Sequence, residues 1–292
     1  MEWLVGPFEV AFVQRALWGG VLVSLICALA GTWVVLRGMA FFGDAMSHGM
    51  LPGIALASLL GGNLLVGAAV SAAVMAVGVS LVGRSPRLSQ DTSIGLLFVG
   101  MLALGVIIVS GSESFAVDLT GFLFGDVLAV RPTDLAYLTG ASGLALAISA
   151  LGHRPFVALA FDERKAHTLG LRPRAAQTAL LALLTLAIVA SFHIVGTLLV
   201  FGLLIAPPAT VLPWARRIPA VMAGAACLGA SATFVGLLLS WHLGTAAGAT
   251  IAATAVLQFL LSTLIAGLHH RWTRSTTTPT ADRPHMEYGH PS

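Results

Sequence analysis

Asp44 and His48 are the residues of this chain whose types and spacing best suit chemistry. They stand four positions apart in Phe42-Gly43-Asp44-Ala45-Met46-Ser47-His48-Gly49, within an apolar stretch. On a helix that spacing puts the carboxylate and the imidazole on one face, about 5–6 Å apart at Cβ. A carboxylate and a neutral imidazole are good ligands for Zn²⁺ or Mn²⁺. Two ligands leave a coordination shell incomplete, which suits a site that must release its ion. The spacing also fits a structural role, with Gly43-Asp44 capping a helix and His48 hydrogen-bonded inside a bundle. The spacing alone leaves both open.

A second polar cluster is Phe161-Asp162-Glu163-Arg164-Lys165-Ala166-His167-Thr168-Leu169-Gly170-Leu171. It reads as a short amphipathic helix stopped by Gly170, either a docking element for a soluble partner or an ordinary charged loop.

The elements that must position these residues follow from composition. Of 292 residues, 57% are hydrophobic and 9% charged, against roughly 25% charged in average soluble domains. The chain reads as an all-α polytopic membrane protein. Ionisable residues inside a membrane are costly, so Asp44 and His48 are functional candidates by location as well as by type. Apolar runs near the length of a membrane helix, about 20 residues, occur at 16–36, 44–62, 64–83, 93–110, 134–151, 175–192, 195–212, 218–241 and 248–268. The expectation is about nine spans, or eight if two are fused or re-entrant. Backbone groups in lipid must be satisfied within the segment, so the runs are helices. Gly61-Gly62-Asn63, Arg131-Pro132 and Arg217-Ile218-Pro219 punctuate them. A turn is expected near Ser191-Phe192-His193 and Gly196.

Short basic loops set orientation. The richest holds Arg154, Arg164, Lys165, Arg172 and Arg174 and is placed inside. Nine spans then put Arg37, Arg84, Arg87, Arg216, Arg217, Arg271 and Arg274 inside as well, and Glu113 and Asp118 outside. The N-terminus falls outside and the C-terminus in the cytoplasm. The net charge of +3 is scattered, with no nucleic-acid-binding stripe. Cys27 and Cys227 read as buried small hydrophobes. The permease domain is expected over 1–272, followed by a solvated, disordered tail over 273–292 that carries His285 and His290.

Taken together these segments resemble the permease subunits of zinc and manganese ABC importers, the ABC-3 family, over roughly residues 10 to 268. The residues that carry the resemblance begin with Arg37, Gly43-Asp44, Ser47-His48 and Leu51-Pro52-Gly53. Gly121 to Gly125 and Asp162-Glu163 with Leu169-Gly170-Leu171 follow. Val195-Gly196 to Val200, Ala206-Pro207-Pro208-Ala209 and Gly248-Ala249-Thr250-Ile251 complete the set. The resemblance implies the type II ABC importer permease fold in a bacterial plasma membrane. It also implies a second permease copy, a cytoplasmic ABC ATPase and an extracytoplasmic metal-binding protein. It further implies that Asp44 and His48 meet the transported ion and that Asp162, Glu163, Arg164, Lys165, Leu169 and Gly170 couple to the ATPase.

The chain departs from the family at Gly244 and Ala246, where members often carry Asp and Pro. His242 is a candidate substitute there, and His193, at the expected outer turn, is a further metal candidate. The extra imidazoles lean toward zinc, with manganese as the alternative. No permanently bound cofactor is expected, only transported Zn²⁺ or Mn²⁺. The chain has no GxxxxGK[ST] phosphate loop, so a separate chain must hydrolyse ATP. Three rival readings are a haem, siderophore or cobalamin permease, a proton-coupled secondary transporter and a membrane metalloenzyme. HExxH is absent, which weakens the last.

Overall fold

The computed structural model describes residues 6–82, 89–110, 125–161 and 173–275. The elements in order are α1 (Ala11–Leu36), α2 (Ala40–Gly49), α3 (Leu51–Leu59), α4 (Leu64–Val82) and α5 (Gln90–Ser110). After them come α6 (Pro132–Leu151), α7 (His153–Phe161), α8 (Pro173–Val211), α9 (Ile218–Leu243) and α10 (Ala247–Ser275). Two short 3-10 turns, Gly6–Glu9 and Val127–Ala129, complete the described elements.

Eight helical segments among the described residues are long and apolar enough to cross a membrane. Their outward faces are apolar too. Val66, Val70, Val74, Val77 and Leu81 form an exposed stripe along α4, and Val256, Leu257, Leu260, Leu261, Leu264 and Leu268 do so on α10. Exposed apolar surface at helical spacing on this scale faces hydrocarbon.

The run expected at 44–62 is divided into α2 and α3. Pro52 has no N–H to give the His48 carbonyl four residues back, and it disfavours a helical Leu51. The His48 carbonyl accepts the Met50 N–H instead. The pair runs antiparallel to α4, with Gly53 against Gly67 and Gly49 against Met75. Ser71 Oγ donates to the Gly49 carbonyl at 2.7 Å. Laid end to end, the 20 residues from Ala40 to Leu59 cover about 30 Å, the thickness of a hydrocarbon core. The segment reaches span length only as two pieces.

The expected turn signals are present. Gly61 adopts φ +64°, and Asn63 Oδ1 caps α4 by accepting the Leu65 N–H at 2.8 Å. Pro132 opens α6, and the Asp134 carboxylate accepts the Arg131 N–H at 2.9 Å. Gly244, at φ 64°, ends α9 in the left-handed conformation.

The core is built on α1, which packs against α8 and α9. Small residues let the backbones approach. Gly20 faces Thr233, and Gly229 faces Ser24. The Ser24 and Thr233 hydroxyls lie 3.4 Å apart, and each also donates to a carbonyl of its own helix. Straight, the 39 residues of α8 would reach about 58 Å, so the helix must bend inside a bilayer. Gly196 bends it, with φ 73° and ψ 168°. Gly125, at φ +60°, sits against the Val195–Gly196 peptide with no room for a Cβ. Two segments of the family resemblance thus meet as backbone on backbone.

Further along α8, Pro207 and Pro208 leave the Leu203 and Leu204 carbonyls without their helical donors. Gly31 of α1 packs directly on the Leu204 carbonyl, where any Cβ would overlap it. Cys27 is buried as expected, whereas Cys227 is exposed on α9.

Candidate metal centre

Asp44 and His48 lie on α2, where Phe42, Gly43, Ala45, Met46, Ser47 and Gly49 are buried. The two site residues stay partly open, His48 at 29% and Asp44 at 41% of side-chain exposure. They therefore occupy the face of α2 that is left partly open among the described residues, together with the exposed Phe41. Asp44 is not a cap. Met39 precedes the helix, and Asp44 stands in its interior.

His48 Nε2 and Asp44 Oδ1 are 3.7 Å apart, beyond hydrogen-bond range. Two ligands each about 2.1 Å from one tetrahedral ion lie roughly 3.4 Å from one another. The pair is thus near chelating separation already. Ser47 lies between them in sequence but is buried, with its hydroxyl donating to the Gly43 carbonyl at 3.1 Å.

Two supports fix α2. Gly43 sits against Leu204 and Phe201 of α8, and Gly49 against Met75 of α4. A third comes from α5. Phe98 meets His48 edge-on at 5.7 Å between centroids and Phe41 at 5.8 Å. Sequence reasoning missed Phe98, since one aromatic in an apolar span carries no signal of its own. Phe98→Ala removes an aromatic contact worth about 0.5–1.5 kcal/mol. The expected result is a roughly two- to tenfold weaker metal affinity at unchanged protein yield, read by metal titration of the purified chain.

Among the described residues no group of three or more His, Cys, Asp or Glu could hold an ion. His242 is therefore not brought to the pair. It lies in the last turn of α9, with Nδ1 donating to the Leu238 carbonyl of its own helix at 2.8 Å. His193 falls in α8, three residues before the Gly196 bend, and its side chain lies outside the described residues. So do Asp162, Glu163, Arg164, Lys165, Leu169 and Gly170, and the tail after Ser275. The described chain leads toward the first of these segments through α7. There Phe156 and Leu159 are buried, and Phe156 meets Trp33 of α1 edge-on at 5.4 Å.

The model of the ABC 3 transport family matches residues 9–266. A manganese transport system membrane protein of Halalkalibacterium halodurans is 35% identical over 86% of both chains. A manganese import system permease protein of Streptococcus parasanguinis is 34% identical, covering 91% of this chain and 94% of that one. A probable iron transport system membrane protein of Haemophilus influenzae is 33% identical over 89% of this chain and 96% of its own. Among solved structures, PsaBC from Streptococcus pneumoniae in complex with Fab matches with a TM-score of 0.78 at 32% identity, over 89% of this chain and 94% of that one. A putative metal-chelate type ABC transporter in an inward-facing conformation matches with a TM-score of 0.67 at 17% identity, over 89% of this chain and 85% of that one. At that identity the likeness concerns the fold alone.

Proposed function

Because the chain belongs to the ABC 3 transport family, as a membrane permease of an ABC metal importer and not an enzyme, we propose that its ion is manganese. The named relatives favour manganese, with iron represented, over the zinc that the extra histidines suggested. The donor set agrees, since a carboxylate and an imidazole serve Mn²⁺ as well as Zn²⁺. The observation that carries the reading is the carboxylate–imidazole pair on the partly open face of α2. A second permease copy facing it supplies another Asp44 and His48. Four donors then meet between two chains, close enough to hold an ion and free to part and release it.

A metal-binding protein delivers the ion from outside, and the acidic segment with Glu113 and Asp118 attracts cations to that side. A separate ATPase engages residues 161–171 on the cytoplasmic side, where the C-terminus also lies. Its nucleotide cycle rocks the helices through α7, so the pair opens alternately to each side.

The test is metal accumulation in cells lacking their own importers, with the chain, its ATPase and its binding protein co-expressed. Manganese is expected to accumulate ahead of iron and zinc, and an ATPase without its phosphate-loop lysine is expected to stop it. Zinc accumulation alone would return the assignment to zinc. Uptake that survives the crippled ATPase would make the chain a secondary transporter.

A further inference from the structure

An apolar groove of about 500 Å³ opens between α1, α6 and α9. Leu29, Leu146, Met222 and Ala226 are among its walls, and His153 and Pro219 lie at one end. Along α9 the groove runs from Pro219 to Ala226, about 10 Å of helix. Leu146 is exposed, so the groove faces the surroundings of the bundle and not its core.

The charges gather at the His153–Pro219 end. Arg154 follows His153 in α7, Arg217 is the residue capping α9, and Arg216 precedes it. All three arginines are exposed. The first turn of α9 adds the positive end of a helix dipole. His153 itself is held by Trp33, ring to ring at 6.0 Å. An apolar slot in a membrane-facing surface, with three exposed arginines next in sequence to the residues at one end, has the chemistry of an acyl chain joined to a phosphate. Basic pockets between membrane helices recognise anionic headgroups in this way. A zwitterionic lipid would fill the slot but leave the arginine cluster without a net countercharge.

We propose that this groove binds one anionic phospholipid, its acyl chain between α1, α6 and α9 and its phosphate at Arg154, Arg216 and Arg217. The bound lipid ties α7 to the start of α9, beside the segment that leads toward residues 162–172.

The test is native mass spectrometry of the full-length protein from micelles holding equal phosphatidylglycerol and phosphatidylcholine of identical acyl chains. Phosphatidylglycerol should be retained about tenfold or more over phosphatidylcholine, the scale of one to two charges near a membrane surface. Arg154→Gln with Arg217→Gln should erase that preference while phosphatidylcholine adducts stay unchanged, which also reports that the variant is folded. Ala226→Phe, which fills the slot and leaves the arginines, should lower retention of both lipids. Equal retention by the native chain, or a preference that survives the arginine changes, overturns the proposal. So does chain-to-chain cross-linking through Ala226→Cys in a Cys227→Ser background, which would put a second copy in the groove.

Discussion

Replacing Asp44 or His48 by alanine is expected to abolish manganese uptake while the protein still reaches the membrane in normal amounts. Both residues lie on α2 with side chains partly open. Alanine is the best helix former, and substitutions on an open face usually change stability by no more than about 0.5 kcal/mol. The functional cost is of another order. Losing a hydrogen-bonding partner of a metal ligand already costs about 10–100-fold in affinity or activity, so losing the ligand itself should cost at least that. Asp44→Asn separates charge from shape, since it keeps the outline of the side chain and removes the anion. It is expected to behave like Asp44→Ala in uptake assays at matched expression. Normal transport by these variants would make the pair structural and place the ion elsewhere.

Gly31→Val is expected to act at an earlier stage, by destabilising the packing of the bundle. The obstacle is the Leu204 carbonyl, which is backbone and cannot rotate away. That carbonyl is available to Gly31 because Pro208 has no N–H to occupy it. Overpacking commonly costs about 1–3 kcal/mol, and here it falls between α1 and α8, at the Leu204 turn that also supports Gly43 of α2. Against a total stability of about 5–15 kcal/mol, the expected outcome is a severalfold loss of folded protein and a lower melting temperature in detergent. Gly140→Ala is the control, since Gly140 has nothing within 4 Å of an added Cβ. It should be neutral in both measurements. A normal yield and melting temperature for Gly31→Val would refute the packing argument.

These two predictions separate what was legible in the sequence from what was not. Helix number and approximate bounds followed from apolar length. The turns at Gly61-Gly62-Asn63 and Arg131-Pro132 followed from residue chemistry. The division of 44–62 was also written there, since Pro52 lies four residues after His48, but hydropathy averages over a single missing donor. Asp44 and His48 stood out because charge is rare in this chain. Phe98 and Gly31 did not, because they act through partners distant in sequence: Phe98 through His48, and Gly31 through Leu204. His242 looked plausible from its place near Gly244, yet it bonds within its own helix. The choice of metal was beyond the donor types, since carboxylate and imidazole serve both ions.

The most direct test of the central claim is electron paramagnetic resonance of Mn²⁺ bound to the purified importer complex, with and without His48→Ala. A bound ion showing hyperfine coupling to ligand nitrogen that disappears in His48→Ala is the predicted result. Nitrogen coupling that persists unchanged in the variant, or a bound ion with no nitrogen coupling in the native complex, would contradict the account.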